Sequence, residues 1–80
     1  MATKSQHASA YQRVPAFLRT LREEAGLTQR GLGKRMKKPQ SWVFNCETAN
    51  RRLGVTEFIA WAKACNVEPR QAFSRLLELY

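Results

Sequence analysis

An all-helical fold is what this sequence predicts, and three observations predict it. Apolar residues recur at helical spacing in several separate stretches. Residues that start or stop helices, namely Gly26, Thr28, Pro39, Asn66 and Pro69, fall between those stretches. No stretch alternates apolar and polar residues as a strand would. With 80 residues and a 44% apolar share, the chain is one small domain with a modest core.

Residues 1–13 are small and polar and lack an apolar period, so they are expected to form a flexible N-terminal arm ahead of a domain spanning 14–80. Lys4 and Arg13 are its cations and can touch phosphates. The first helix is predicted over Val14–Ala25, with Pro15 in its first turn and Val14, Leu18, Leu21 and Ala25 on one face beside Phe17. Gly26 is its natural stop, because glycine enters the left-handed conformation without a Cβ clash.

Leu27–Glu47 reads as two short helices joined by a tight turn, a helix-turn-helix. Thr28 caps the first, and Leu32 and Met36 share its inner face. Gly33 is expected where the two helices approach each other; Gly31 has no evident reason. Lys37-Lys38-Pro39 interrupts the pattern, and Pro39 opens the second helix. There Val43 and Cys46 lie three apart and face inward, while Gln40, Ser41, Phe44 and Asn45 share the opposite face. A row of amide and hydroxyl side chains in a basic neighbourhood suits the major groove of DNA.

Thr48–Gly54 is a loop carrying Arg51 and Arg52, with Leu53 as a core plug. The next helix, Val55–Cys65, has Val55, Phe58, Ile59, Ala62 and Cys65 on one stripe; Trp61 falls off it, either under the last helix or exposed. Asn66 takes the left-handed stop and Val67 folds back. The last helix begins at Pro69, with Phe73, Leu76, Leu77 and Tyr80 on its stripe and Leu79 alongside. That is more apolar surface than a small core needs, so part of it is expected to form a two-fold contact with a second copy.

The charge is unevenly placed. The net charge is +8, and between Arg30 and Arg52 seven basic residues face one acidic residue, Glu47, so +6 of it lies in 23 residues. Such clustering favours a polyanion, because each neutralised phosphate releases counterions. Lys38, Arg51 and Arg52 are the phosphate candidates, while Lys34 and Arg35 fit a solvated face. The Trp42 ring is expected to pack beside the helix pair, with its N–H able to reach a phosphate. A glutamine such as Gln40 can contact adenine through both amide atoms, worth about 1–3 kcal/mol of discrimination; Asn45 can do the same one turn on. Ser41 specifies little, and Phe44 can pack on a thymine methyl or on a protein.

Several separated motifs together resemble the phage-repressor-like (Cro/C1, XRE) family. They are Leu18–Gln29, Pro39-Gln40-Ser41-Trp42-Val43, Glu47, Arg51-Arg52-Leu53 and Glu57-Phe58, and the likeness covers roughly Pro15–Phe73. The resemblance implies a five-helix lambda-repressor-like domain whose second and third helices read DNA. It implies that Gln29 bonds a phosphate and braces the first reading residue. Gln40 and Ser41 would enter the groove first, and Asn45 would read a later base. Arg22 and Glu47 would form a structural ion pair. Four positions depart from the family pattern: Lys37 and Ala49 stand where glycines are usual, Phe44 where a polar residue is, and Gly31 where a polar or acidic helix former is common.

No catalytic set emerges: no nucleophile pairs with a histidine, and no glycine loop cradles phosphate, so no enzyme is expected. Cys46 and Cys65 sit at apolar positions as reduced core thiols, His7 lies in the polar arm, and no metal or other cofactor is expected. There is no membrane-length apolar run or signal segment, which suggests a cytoplasmic, nucleoid-associated protein. The reading is a sequence-specific regulator, a repressor on a two-fold operator, working as a homodimer on double-stranded DNA. The rival is a protein-interaction module such as a toxin-binding antitoxin.

Overall fold

The structure, a computed structural model, describes the backbone of residues 2–80 and the side chains of residues 11–80. Five helices follow in order: α1 (Ala2–Glu24), α2 (Gln29–Met36), α3 (Gln40–Glu47), α4 (Val55–Ala64) and α5 (Pro69–Leu77), with no strand among the described residues.

Three of these helices end in the same way. After α1 the left-handed residue is Gly26, and Leu27 N–H reaches back to the Arg22 carbonyl at 3.1 Å. After α4 it is Asn66, with Val67 N–H on the Ala62 carbonyl at 2.9 Å. After α2 it is Lys37, with Lys38 N–H on the Gly33 carbonyl at 2.8 Å. Each is the paired-bond stop that satisfies two orphan carbonyls. Lys37 has φ 58°, so the turn keeps its left-handed shape without glycine, at a cost of about 1–2 kcal/mol.

The start of α1 differs from the sequence expectation. Pro15 lacks an N–H and was expected in the first turn, yet the helix runs through it. Its ring is fully buried, and that burial offsets the missing hydrogen bond. The turn before it is held from outside: Tyr11 Oη accepts the Leu53 N–H at 3.2 Å, and the Arg13 guanidinium lies 4.9 Å from the Tyr80 ring centre. The boundary drawn between Arg13 and Val14 therefore falls inside α1. The expected phosphate contact of Lys4, and residues 1–10 of the arm expected over 1–13, lie outside the described side chains.

Every helix contributes to the core. Phe17, Leu18 and Leu21 come from α1, Leu32 from α2, Val43 and Cys46 from α3, Trp61 and Ala62 from α4, and Ala72 and Leu76 from α5. Of the two places the sequence left open for Trp61, the exposed one is ruled out: it is fully buried, and its Nε1–H donates to the Leu18 carbonyl at 3.1 Å. Seating the indole turns α4, so Val55 and Ile59 face outward instead of inward, and Val55 is 79% exposed. On α5 only Ala72 and Leu76 are buried, while Phe73 and Leu77 are exposed, as are Leu79 and Tyr80 beyond the helix. Cys46 and Cys65 are free, and burial pushes both thiols up to about 11.

Candidate nucleic-acid interface

The second helix of the reader is fixed from behind by small contacts. Thr28 Oγ1 accepts the Gly31 N–H at 2.9 Å and starts α2. A Cβ on Gly31 would meet that hydroxyl at 3.2 Å, a close contact with a side-chain atom at a position where capping boxes carry glutamate or glutamine, so nothing in the structure requires this glycine. At Gly33 a Cβ would meet the Lys38 carbonyl at 2.6 Å, so only glycine lets α2 approach the chain entering α3 this closely. Pro39 is the residue just before α3, with extended backbone, and Val43 and Cys46 are fully buried beneath the helix.

The Arg22–Glu47 pair ties α1 to the end of α3. Arg22 Nε donates to Glu47 Oε2 at 2.6 Å and its Nη2 to Oε1 at 3.1 Å. Its third nitrogen donates to the Leu27 carbonyl at 2.8 Å. The side chains are only 10% and 2% exposed. Hydrogen bonding to Glu47 holds the Arg22 pKa above its ordinary value against the opposing effect of burial.

From this pair a chain of amides leads outward. Gln29 Nε2 donates to Glu47 Oε1 at 3.0 Å, and Gln40 Nε2 donates to Gln29 Oε1 at 2.6 Å. Gln29 thus braces Gln40 and retains one N–H. Gln40 is exposed and retains its carbonyl oxygen and one N–H, the donor–acceptor pair that adenine requires. Ser41 is exposed beside it, Asn45 is half-buried one turn later, and Phe44 lies between them at 45% exposure. The four residues expected to read bases therefore share one outward side of α3.

The cations flank that surface. Arg30, Lys34, Lys37 and Lys38 are exposed on α2 and the turn, and Arg51 and Arg52 on the loop after α3. Both loop arginines are held. Arg51 meets the Glu57 carboxylate at 3.3 Å through two nitrogens, and Arg52 lies 4.4 Å from the Tyr11 ring centre. Ala49 takes φ 66°, and the loop closes through Arg51 N–H on the Asn45 carbonyl at 3.1 Å.

Trp42 sits against the core. Its ring packs at 6.0 Å from Trp61, as expected of packing beside the helix pair, but its Nε1–H is buried and meets no acceptor among the described residues.

Glu57 and Tyr11 belong to this surface and were not picked out from sequence as parts of it. Glu57 accepts the Gly54 N–H at 2.9 Å, which holds its carboxyl below the usual range, with Arg51 adding to the effect. A Gly-x-x-Glu spacing ahead of an apolar run is a cap signal that marks Glu57. Nothing in the sequence near Tyr11 points to Leu53, 42 residues away.

Comparison with known proteins bears on the whole chain. A family profile described as a helix-turn-helix domain matches residues 16–79. Among solved structures, an XRE-family like protein from Pseudomonas syringae pv. tomato str. DC3000 superposes with a TM-score of 0.82 at 37% identity, covering 98% of this chain and 95% of that one. No curated protein matches.

Proposed function

This chain belongs to the XRE-type helix-turn-helix family, which supports a DNA-binding regulator, and from that premise we propose that it reads a specific operator through the major groove. The observation that carries the reading is the outward side of α3. Gln40, Ser41, Phe44 and Asn45 are displayed together, while Val43 and Cys46 anchor the helix and Gln29 fixes the Gln40 amide. Lys38, Arg51 and Arg52 would position the protein on phosphates without reading sequence. Gln29 would add a phosphate contact through its remaining N–H. Repression would follow from occupying the promoter.

The regulator would act as a homodimer on a two-fold operator. Support comes from the apolar strip left outside by α4 and α5, where Val55, Ile59, Phe73 and Leu77 are exposed and Phe58 meets Phe73 edge-on at 6.5 Å. Monomers seldom leave such a strip uncovered. The same strip favours the second reading, a module that holds a protein partner such as a toxin.

Selection from a random duplex pool at two salt concentrations separates these readings. A regulator enriches one sequence and loses affinity steeply with salt. A protein module binds no duplex at low salt. In the selected site, Gln40→Ala should relax preference at one base pair of each half-site, with about 1–3 kcal/mol of discrimination lost there. Preference unchanged at every position would remove Gln40 from the readers.

A further inference from the structure

Two cations from opposite ends of α3 meet on one ring. Lys38 precedes the helix and Arg51 follows it, yet Lys38 Nζ lies 5.2 Å and the Arg51 guanidinium 5.4 Å from the centre of the Trp42 indole. Both cations are drawn to the same ring. The indole face supplies part of that attraction. Glu57 supplies the rest as a counterion, 3.3 Å from two Arg51 nitrogens.

The ring itself cannot swing away. Its centre lies 6.0 Å from that of Trp61, and its N–H is buried. Arg51 is also oriented rather than merely present. Its Nη1 donates to the Arg52 carbonyl at 2.8 Å and to Glu57, and its Nη2 donates to Glu57. Three of the five guanidinium N–H groups are thereby engaged. The two left over, on Nε and Nη2, form one edge of the fork, and the side chain is 42% exposed. A free arginine edge and a lysine ammonium that share one ring supply the donors a tetrahedral oxyanion takes, the arginine holding two oxygens and the lysine adding a point charge.

We propose that Lys38 and Arg51 close on the same backbone phosphate, with the Trp42 ring as the fixed floor of the clamp. The inference rests on the DNA-binding reading above and adds to it a shared phosphate and a positioning role for Trp42. Glu57 is the resident counterion that keeps the two cations in place before DNA arrives. The clamp would set the depth of α3 at one point on the backbone, since both of its cations come from the segments that bound that helix.

The test is a scan of single methylphosphonates, each removing one backbone charge, along a duplex selected by the protein from a random pool. With the wild-type chain, one position per half-site should weaken binding about tenfold or more. Lys38→Met and Arg51→Met, both on exposed side chains, should each lose part of the sensitivity at that same position and stay sensitive elsewhere, and the double variant should lose all of it there. Trp42→Leu should lose the same sensitivity, and Trp42→Phe should keep it. Loss of sensitivity at two different positions would overturn the shared clamp. Trp42→Leu, folded by circular dichroism and still sensitive, would overturn the floor; if that variant does not fold, the two methionine variants decide. Failure to enrich any duplex would instead reject the DNA reading itself, before the scan begins.

Discussion

Glu47 carries more of this molecule than any other single side chain. It receives Arg22 from α1 and Gln29 from α2, and it sits at the last turn of α3. An ion pair this well buried adds little over an apolar pair of equal shape, but breaking it strands a charge. Glu47→Gln should therefore cost about 3–5 kcal/mol in urea unfolding, a large part of the roughly 4–12 kcal/mol expected for 80 residues. Arg22→Met combined with Glu47→Leu should recover most of it. If Glu47→Gln cost under about 1 kcal/mol, the pair would be no better than a surface one. The sequence made this pair legible only through family resemblance, because 25 residues separate the partners. The Gln29–Gln40 brace was legible on the same ground. Trp61 was not: its position depends on the Leu18 carbonyl, 43 residues away. No local period contains that information.

At the scale of the element, the punctuation of the helices was the most readable feature. Gly26, Thr28 and Asn66 act as expected because caps depend on neighbours within a few residues. The α1 boundary was misread because Pro15 is a sound start signal that tertiary burial overrode. The turn between α2 and α3 gives a paired prediction. Lys37→Gly should relieve the left-handed strain of about 1–2 kcal/mol, less about 0.4–1 kcal/mol for the freer unfolded chain. The expected result is a modest rise in melting temperature, of a few degrees. Gly33→Ala should do the opposite, since its Cβ would press on the Lys38 carbonyl, costing about 1–3 kcal/mol and moving α3 off α2. Thermal melts of the two variants read both signs; a melting temperature for Gly33→Ala equal to that of wild type would mean the turn yields freely.

For the whole molecule, the main difference from the sequence is which surface remains outside. The sequence put Val55 and Ile59 in the core and surplus apolar surface on the last helix; seating Trp61 moves part of that surplus to α4. The apolar strip therefore runs over α4 and α5 together rather than over the C-terminal end alone. Removing Leu76–Tyr80 would be a poor probe of association, because Leu76 is part of the core. Ile59→Asp is better placed: if the proposed homodimer forms through this strip, the variant should sediment as a monomer at concentrations where the wild-type chain sediments as a dimer, with melting of the monomer little changed. Dimers that persist in both Ile59→Asp and Phe73→Asp would move the contact elsewhere. Among the described residues no helix is long and apolar enough to cross a membrane.

The one-sided anchoring of α3 has a consequence for how such a protein can change its target. Trp42, Val43, Cys46 and Glu47 bind the helix to the interior, and Ser41, Phe44 and Asn45 are not among these anchors, so they can be exchanged with little penalty to folding. Gln40 is tethered to Gln29 and so must change in concert with it. Retargeting would thus be cheap at three letters and paired at the fourth, a division of labour that lets new binding preferences arise by drift at the surface.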